Sequence, residues 1–406
     1  SGIVVGARSA LFLPFNNLNA IIIDEEHSSS LKQEVYPIYH ARNMAILKAS
    51  IENIFIILIS ATPSLETVLN IKNKKYDLID IKRKPALGPA KVEFLKKGKE
   101  ILNIKTIEQI QQALNEKKQV LLYLNRKGFA PYCFCENCNN ILKCAACDQP
   151  KVYYSDNYVI CHKCYERKML EKCYYCNSFN WRFYGLGIEK VQQYVEKYFS
   201  NYSIKSLTSN SNDIQDSLKE INEKKIDIII ATQVLAQGHD FKYIGLVVII
   251  DADMGTSSSD FLIEEKIYQI WKQIQGRSNR HKIEGKMLIQ YSKNKNKFVE
   301  LFQKENPVNY LLLQRKENEW PPFYRYVCIS LKSKNKEKLV KAADLKLFQS
   351  NVFQAYGPIY NKMISYVHEY KILLKFPLNV LPYKYLKDIK FTKGVKVSFD
   401  VDPINF

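Results

Sequence analysis

Residues 20–27 read Ala-Ile-Ile-Ile-Asp-Glu-Glu-His, a short apolar run rich in β-branched side chains that ends in three carboxylates and a histidine. A run of this kind is typical of a strand in a buried parallel sheet. The same signature recurs along the chain with helical patterns between the runs, so the sequence predicts a doubly wound α/β fold. The predicted strands are 20–23, 54–59, 119–124, 226–230 and 246–250, and the predicted helices include 41–51, 189–198 and 264–275.

Composition and charge narrow the class of protein. The 406 residues are 46% hydrophobic and 25% charged, which excludes a disordered chain and a small disulfide scaffold. No apolar run approaches the roughly 18 residues of a transmembrane helix, and the first residues lack the pattern of a signal peptide. Lys and Arg exceed Asp and Glu by 19 charges, which indicates a polyanionic partner, most commonly nucleic acid. A lysine-rich surface that only maintains solubility would give the same excess.

The cysteines indicate metal binding. Nine of the ten lie between Cys133 and Cys176, and eight of those form four C-x-x-C pairs. Two such pairs complete a tetrahedral Cys₄ zinc site, so we expect two structural zinc ions. The four C-x-x-C pairs can be combined into two sites in three ways, and their spacing does not decide among them. Disulfides would need an oxidising compartment, which nothing in the sequence indicates. Cys133 is left over as a packed thiol, and His162 is expected to be solvated or to lie beside the ligands without binding the metal. The four pairs are Cys135/Cys138, Cys144/Cys147, Cys161/Cys164 and Cys173/Cys176.

Polar motifs follow the first two predicted strands. Residues 24–27 follow one, and residues 60–64, Ser-Ala-Thr-Pro-Ser, follow the other. Ligands bind at the carboxyl ends of parallel strands, where paired carboxylates can hold Mg²⁺ and orient an attacking water. An acidic cluster after a strand is by itself more often a helix N-terminus, and the second motif at the same sheet edge favours the site.

Two later motifs carry groups suited to phosphate. Residues 231–241 contain Thr232-Gln233 and Gly238-His239-Asp240 directly after a predicted strand. Arg277 and Arg280 are three residues apart, which places both guanidinium groups on one helix face. Paired arginines of this kind can clamp a γ-phosphate during phosphoryl transfer.

The motifs and their order resemble those of a superfamily 2 helicase. Along the chain they are D-E-E-H, S-A-T-P-S, a C-x-x-C-rich insert, A-T-Q-x-L-A-x-G-H-D-F and Q-x-x-G-R-x-x-R. The zinc insert narrows the resemblance to the PriA family of replication-restart helicases, over essentially all 406 residues. The resemblance implies two RecA-like motor lobes, the first incomplete, with a zinc-binding insertion in the second and a small α+β C-terminal domain. The implied ranges are 1–81 for the first lobe, 82–100 for a connector, 101–130 and 181–300 for the second lobe, 131–180 for the double-zinc insertion and 301–406 for the C-terminal domain.

The resemblance also implies roles for individual residues. Asp24 would bind Mg²⁺ with ATP, Glu25 would be the catalytic carboxylate, and Arg277 and Arg280 the arginine fingers. One zinc ion would be held by Cys135, Cys138, Cys173 and Cys176, and the other by Cys144, Cys147, Cys161 and Cys164. Residues implied in nucleotide binding and coupling are Glu26, His27, Ser60, Thr62, Gly238, Asp240 and Gln273. Residues implied in DNA binding are Arg8, Tyr36, Tyr39, Arg126, Thr232 and Gln233, with Tyr36 and Tyr39 in a loop, 32–40, that resembles the family's aromatic-rich loop.

No G-x-x-x-x-G-K-[ST] phosphate loop occurs in the 406 residues. We therefore expect an ATP-dependent 3′-to-5′ DNA helicase of replication restart and primosome assembly, here lacking its N-terminal part. The alternative is a catalytically incompetent, zinc-dependent module that binds DNA or a partner. By resemblance the partners are forked and single-stranded DNA, single-strand-binding protein and other primosome proteins, with no membrane. A cytoplasmic, nucleoid-associated monomer is expected.

Overall fold

The computed structural model describes most of the chain, and every structural statement below concerns that part. The ranges are 2–81, 89–124, 132–145, 150–154, 157–161, 166–184, 187–207, 214–232, 241–253, 261–276, 284–293, 296–348, 350–362, 367–387, 389 and 391–404. The chain divides into two compact units. Unit 1 consists of Ser1–Ile79, Asp260–Glu265 and Val308–Phe406, and unit 2 of Asp80–Ser259 and Lys266–Pro307.

Strands and helices alternate through both units. The strands are β1 (Ala20–Ile23), β2 (Lys32–Gln33), β3 (Tyr39–His40), β4 (Phe55–Leu58), β5 (Lys91–Lys96), β6 (Gln119–Tyr123), β7 (Tyr132–Cys135), β8 (Val152–Tyr154), β9 (Tyr158–Ile160), β10 (Arg167–Met169), β11 (Trp181–Tyr184), β12 (Ile204–Leu207), β13 (Ile228–Ala231), β14 (Ile244–Ile249), β15 (Lys286–Tyr291), β16 (Tyr324–Ser333), β17 (Gln354–Lys362), β18 (His368–Pro377) and β19 (Lys396–Val401). The helices are α1 (Ala41–Glu52), α2 (Leu65–Lys72), α3 (Ile104–Asn115), α4 (Ile188–Tyr198), α5 (Ile214–Asn222), α6 (Ile263–Gln275), α7 (Lys297–Gln303), α8 (Pro307–Glu317), α9 (Lys336–Ala342) and α10 (Tyr383–Leu386).

Unit 2 is built on a parallel sheet of six strands in the order β12-β13-β6-β14-β15-β5. Its central strands β6, β13 and β14 are buried along their whole length, so both faces of the sheet are covered there. The predicted strands and helices lie within two residues of those observed. The α/β prediction is therefore confirmed.

Edge strand β5 lies inside the range 82–100, which the resemblance assigns to a connector. Only one of its six residues is buried, and its lysines and glutamate alternate with apolar side chains. An edge strand needs one covered face and carries charge on the other, so it lacks the continuous apolar run by which the inner strands were predicted.

In unit 1, β1 and β4 form a parallel pair against which α1 packs. Their apolar sequences predict two covered faces, but alternate side chains are exposed, with Ile22 at 63% and Phe55 at 80%. The difference arises because α1 packs against these strands from one side only. The rest of unit 1 includes the small antiparallel hairpin β2–β3 and an antiparallel sheet in the order β17-β18-β16-β19.

The C-terminal sheet has its own core. The inner faces of β16 and β18 meet α9, and Leu339, Phe348 and Phe376 are almost completely buried there. Most of the range 301–406 shares unit 1 with residues 1–79. Throughout the described ranges, each helix is too short or too polar to cross a lipid bilayer.

A buried amide fixes the start of α3 on the sheet of unit 2. Gln290 on β15 is completely buried, and its Oε1 accepts hydrogen bonds from Asn103 N (2.7 Å) and Thr106 Oγ1 (2.9 Å). Its Nε2 donates to the carbonyls of Ile101 (3.1 Å) and Ile250 (3.0 Å). The side chain makes four hydrogen bonds, so its removal would leave four groups without these partners.

We expect Gln290→Leu to lower the free energy of unfolding by about 3 kcal/mol, because buried donors and acceptors would lose their partner without access to water. Urea unfolding followed by tryptophan fluorescence measures the change. The matched control is Gln112→Leu on the exposed surface of α3, which should cost less than about 0.5 kcal/mol. Equal losses in both variants would contradict the role given to Gln290.

Candidate functional site

The acidic motif directs its carboxylates to opposite sides of the chain. Asp24 is exposed, and its Oδ1 accepts a hydrogen bond from Glu25 N at 2.9 Å. Glu25 has a left-handed backbone with φ of 48°, unusual for a residue with a side chain, and its side chain is 42% exposed. Glu26 is only 1% exposed. The bend at Glu25 therefore separates two accessible carboxylates from a buried one, and strain of this kind is often found at functional sites.

Glu26 binds the motif that follows β4. Its Oε1 accepts from Ser64 N at 2.7 Å, and its Oε2 accepts from Ser64 Oγ at 3.1 Å and from Arg42 Nη1 at 2.8 Å. Arg42 on α1 is itself buried and also donates to Ser64 Oγ at 2.6 Å. Both carboxylate oxygens of Glu26 are thus used inside the protein, which favours coupling over direct nucleotide contact within the role predicted for it.

His27 forms a second link between the same two motifs. Ser60 Oγ accepts a hydrogen bond from Thr62 N at 2.9 Å and lies 2.8 Å from His27 Nδ1. Burial lowers the pKa of His27 below its ordinary value, while the neighbouring carboxylate of Glu25, whose Oε2 lies 3.5 Å from Nδ1, opposes this shift. Thr62 is buried beside this link. The structure therefore brings together the predicted coupling residues of unit 1 at one edge of the β1–β4 pair.

A second buried ion pair completes the start of α2, and sequence analysis missed it. Glu265 Oε1 accepts from Leu65 N at 3.0 Å, and its Oε2 binds Arg315 Nη2 at 2.9 Å. Arg315 also donates to the carbonyl of Pro321 at 2.9 Å. Burial raises the pKa of Glu265, and the nearby Glu66 carboxylate adds to the increase while Arg315 opposes it. No local signal in the sequence marks a pair whose members lie on different helices.

The loop expected to bind single-stranded DNA is the hairpin β2–β3. Tyr36 at its tip is 88% exposed, whereas the Tyr39 ring packs edge-to-face on Phe12 at 5.1 Å. Arg8 donates through Nη1 to the carbonyl of Lys32. The exposed tyrosine is available for stacking, and Arg8 and Tyr39 support the base of the hairpin.

Only two of the remaining predicted residues of unit 2 can be described. Thr232 is buried just after β13, and Gln273 is half-buried on α6. The other six, which carry most of the predicted phosphate contacts, lie outside the described residues; they are Arg126, Gln233, Gly238, Asp240, Arg277 and Arg280.

Four of the predicted zinc ligands converge. The Sγ atoms of Cys135, Cys138, Cys173 and Cys176 all lie within 4.8 Å of one another. A zinc ion about 2.3 Å from each thiolate needs sulfurs about 3.8 Å apart, so the cluster fits zinc closely. The cluster joins the first and the last C-x-x-C pairs, here called knuckles, as the resemblance implies. The first cysteine of each knuckle is buried, Cys138 is half-buried and Cys176 is exposed.

The two knuckles share a backbone conformation. Asn139 and Asn177, each directly after the second cysteine of its pair, have left-handed φ values of 55° and 56°. Each donates its N–H to the carbonyl of the first cysteine, and that cysteine's N–H donates to the carbonyl five residues later. Asparagine tolerates this conformation better than other residues with side chains. The repeated C-x-x-C-N pattern is the sequence signal that marks these two asparagines.

The second predicted zinc site is described only in part. Cys144 and Cys161 are both buried, and Cys147 and Cys164 lie outside the described residues. Cys133 is buried away from the first cluster, and burial raises its pKa to about 12, as expected for a packed thiol.

We expect Glu26→Gln to lower the free energy of unfolding by about 2–4 kcal/mol. The amide nitrogen would place a donor against Arg42 or Ser64, which are donors themselves, and the buried Arg42 would lose its shorter ion pair and keep only Glu66, 4.0 Å away. Thermal or urea unfolding measures the change. The control is Glu52→Gln in the exposed Lys48–Glu52 pair of α1, whose loss should stay within about 0.5 kcal/mol. A similar stability for both variants would contradict the network.

Known proteins match the chain along its whole length. The helicase conserved C-terminal domain family matches residues 164–282. Replication restart protein PriA of Haemophilus influenzae is 32% identical over 99% of this chain and 59% of its own length. Replication restart protein PriA of Rickettsia felis is 31% identical over 100% of this chain and 66% of its own length, and that of Borreliella burgdorferi 30% identical over 99% and 64%.

The chain thus spans about three fifths to two thirds of the length of these relatives. The family match lies on the parallel sheet of unit 2 and on part of the zinc segment. Relatives with the same name align with nearly the whole chain. The aligned part includes the acidic motif, the loop after β4 and the cysteine cluster described above. The chain belongs to the PriA family of replication restart proteins.

Proposed function

We propose that these residues form part of an ATP-dependent 3′-to-5′ DNA helicase that acts in replication restart and primosome assembly. The observation that carries the proposal is the edge of the β1–β4 pair, where Glu26 and His27 are hydrogen-bonded to the Ser60–Ser64 loop directly after the accessible carboxylates of Asp24 and Glu25. The proposed 3′-to-5′ direction of movement along DNA rests on the family resemblance. In this proposal, range 1–81 is the end of the first lobe, 82–100 the connector, 101–130 and 181–300 the second lobe, 131–180 the zinc insertion and 301–406 the C-terminal domain.

The carboxylates divide the work of hydrolysis. Asp24, which is accessible and already accepts a backbone hydrogen bond, would hold the magnesium ion that accompanies ATP. Glu25, whose side chain is 42% exposed and whose Oε2 lies 3.5 Å from His27 Nδ1, would orient the attacking water. Glu26 would transmit the position of these residues to Ser64 through their hydrogen bonds. His27, Ser60 and Thr62 would form a second link between the same two motifs.

The second lobe would supply the positive charge. Arg277 and Arg280 are proposed as fingers that stabilise charge on the transferred phosphoryl group. Gly238, Asp240 and Gln273 are proposed to contact the nucleotide or to couple its state to DNA. These roles follow from the match of the motifs to the family.

DNA binding is proposed for residues of both units. Tyr36 would stack on a base from the exposed tip of the hairpin, with Tyr39 and Arg8 supporting its base. Arg126, Thr232 and Gln233 would contact the strand from unit 2. The charge of +19 supports a nucleic-acid partner. Forked and single-stranded DNA, single-strand-binding protein and primosome proteins are the proposed partners of a monomer.

Two zinc ions per chain are proposed for the insertion. The first site is the described cluster of four sulfurs. The second would use the other four cysteines, and one observation supports it: Cys161 N donates to the carbonyl of Glu166, five residues later, as in both knuckles of the first site. When bound, zinc supplies folding free energy by holding together a segment with short strands and a small core.

A second candidate function is a zinc-dependent module that binds DNA or a protein partner without hydrolysing ATP. The absence of a phosphate-loop motif from the 406 residues favours it for these residues alone. ATP hydrolysis measured with and without such a loop distinguishes the two candidates.

We expect purified protein to contain two zinc ions per chain by elemental analysis. Cys135→Ser should reduce the content to about one ion, because three thiolates bind zinc more weakly than four. Cys328→Ser is the matched control, since Cys328 is also buried but lies on β16, away from the insertion. A content of one ion or none in freshly reduced wild-type protein would contradict the second site.

We expect the 406 residues alone to show negligible ATP hydrolysis with single-stranded DNA. Fusion to the part of the Haemophilus influenzae relative that the match does not cover should restore hydrolysis if that part supplies a phosphate loop. In the active fusion, Glu25→Gln should lower turnover by about a hundredfold or more. Glu108→Gln, which removes an exposed carboxylate from α3, is the control. Vigorous hydrolysis by the 406 residues alone, or an unaffected Glu25→Gln fusion, would contradict these roles.

A further inference from the structure

Lys32 is a buried lysine at the start of the hairpin. Its side chain is 1% exposed, and its ammonium group lies 2.5 Å from Asp400 Oδ1. The same nitrogen donates to the carbonyls of Val401 at 2.7 Å and Asp402 at 3.2 Å. The ammonium group therefore donates two hydrogen bonds to carbonyl groups at the end of strand β19, and its charge is paired with Asp400.

The acceptors on β19 are arranged by a bend in the backbone. Asp402 has a left-handed φ of 52°, and its N–H donates to the carbonyl of Tyr326 on β16 at 2.9 Å. The bend lets two successive carbonyl groups, Val401 and Asp402, reach one nitrogen, whereas successive carbonyls of a regular strand point in opposite directions. The strand end is therefore shaped to receive a cation.

The hairpin has little stability of its own. Each strand has two residues, paired as Lys32 with His40 and Gln33 with Tyr39. A two-stranded hairpin is marginal in water even when it is longer, so its order must come from tertiary contacts. Lys32 supplies those contacts on β2, while β3 continues directly into α1, whose Arg42 binds Glu26 and Ser64. His40 lies between these cations; burial lowers its pKa to about 3, and Arg42 and Lys32 act in the same direction.

We propose that the end of β19 is a positioning element for single-stranded DNA: by binding Lys32, it holds the hairpin so that Tyr36 is ready to stack on a base. The inference rests on the proposed DNA role of Tyr36. Stacking on an ordered side chain avoids the entropic cost of ordering the hairpin upon binding, which raises affinity without any new contact to DNA. Lys32 itself is buried and is a positioning residue.

The test is a double-mutant cycle on affinity for a fluorescent oligothymidylate, measured by anisotropy at one fixed salt concentration. In the otherwise wild-type chain, Tyr36→Ala should weaken binding by about five- to a hundredfold. In the Lys32→Met background, the same substitution should weaken binding by about threefold or less, because a disordered hairpin no longer presents the ring. A merely structural role of Lys32 would leave the effect of Tyr36→Ala unchanged.

Lys375→Met is the matched control. Lys375 on β18 is also buried and forms an ion pair with Glu319. Its loss therefore removes the same charge and a similar ion pair but leaves the contacts of the hairpin intact. The effect of Tyr36→Ala should be undiminished in that background. Hydrogen exchange should be faster at Gln33 and Tyr39 in Lys32→Met and unchanged there in Lys375→Met.

If Lys32→Met does not fold, the same cycle is run on Asp400→Asn, which keeps the two carbonyl acceptors and removes the charge. A reduced effect of Tyr36→Ala in that background supports the inference. An equal effect of Tyr36→Ala in the wild-type, Lys32→Met and Asp400→Asn backgrounds overturns the inference and leaves the DNA role of Tyr36 standing. No effect of Tyr36→Ala in wild type overturns both.

Discussion

The N-terminus of α2 must satisfy backbone N–H groups that have no partner within the helix, and it does so in a place closed to water. Two buried carboxylates meet this demand: Glu26 accepts from Ser64 N, and Glu265 accepts from Leu65 N. Each carboxylate is matched by a buried arginine, Arg42 or Arg315. A buried carboxylate without its arginine would be strongly destabilising, so the four side chains stand or fall together.

This constraint explains the shape of the acidic motif. Because Glu26 is committed to the start of α2, the chain has to turn at Glu25, and it does so with a left-handed backbone. The turn leaves Asp24 and Glu25 at the accessible edge, while His27 reaches back to Ser60. A change in the position of Ser64 would therefore displace Glu26 through their hydrogen bonds, and Glu25 through the backbone that joins it to Glu26. That path gives the proposed coupling between nucleotide and DNA a physical basis within unit 1.

The zinc segment follows a different rule, since short strands and a small core cannot fix its conformation. The antiparallel pair β7–β11 brings its first and last knuckles together, with Cys135 directly opposite Trp181. The left-handed asparagines then turn each chain so that the thiolates converge. A metal ion bound by these four cysteines would replace the hydrophobic core as the source of stability, whereas in the parallel sheet the buried strands provide it.

The sequence by itself determined the features that depend on near neighbours. Apolar runs located the strands of the parallel sheet, and the C-x-x-C spacing located the knuckles, because strand burial and a metal-binding turn both have a local pattern. Only the tertiary structure decided which knuckles share a cluster, because three pairings satisfy the same spacing. It also decided the partners of Glu265 and Lys32, which lie 200 and 369 residues away along the chain. A hydrogen bond over such a separation leaves no periodicity in the sequence; it exists only once the chain has folded and removed its members from water.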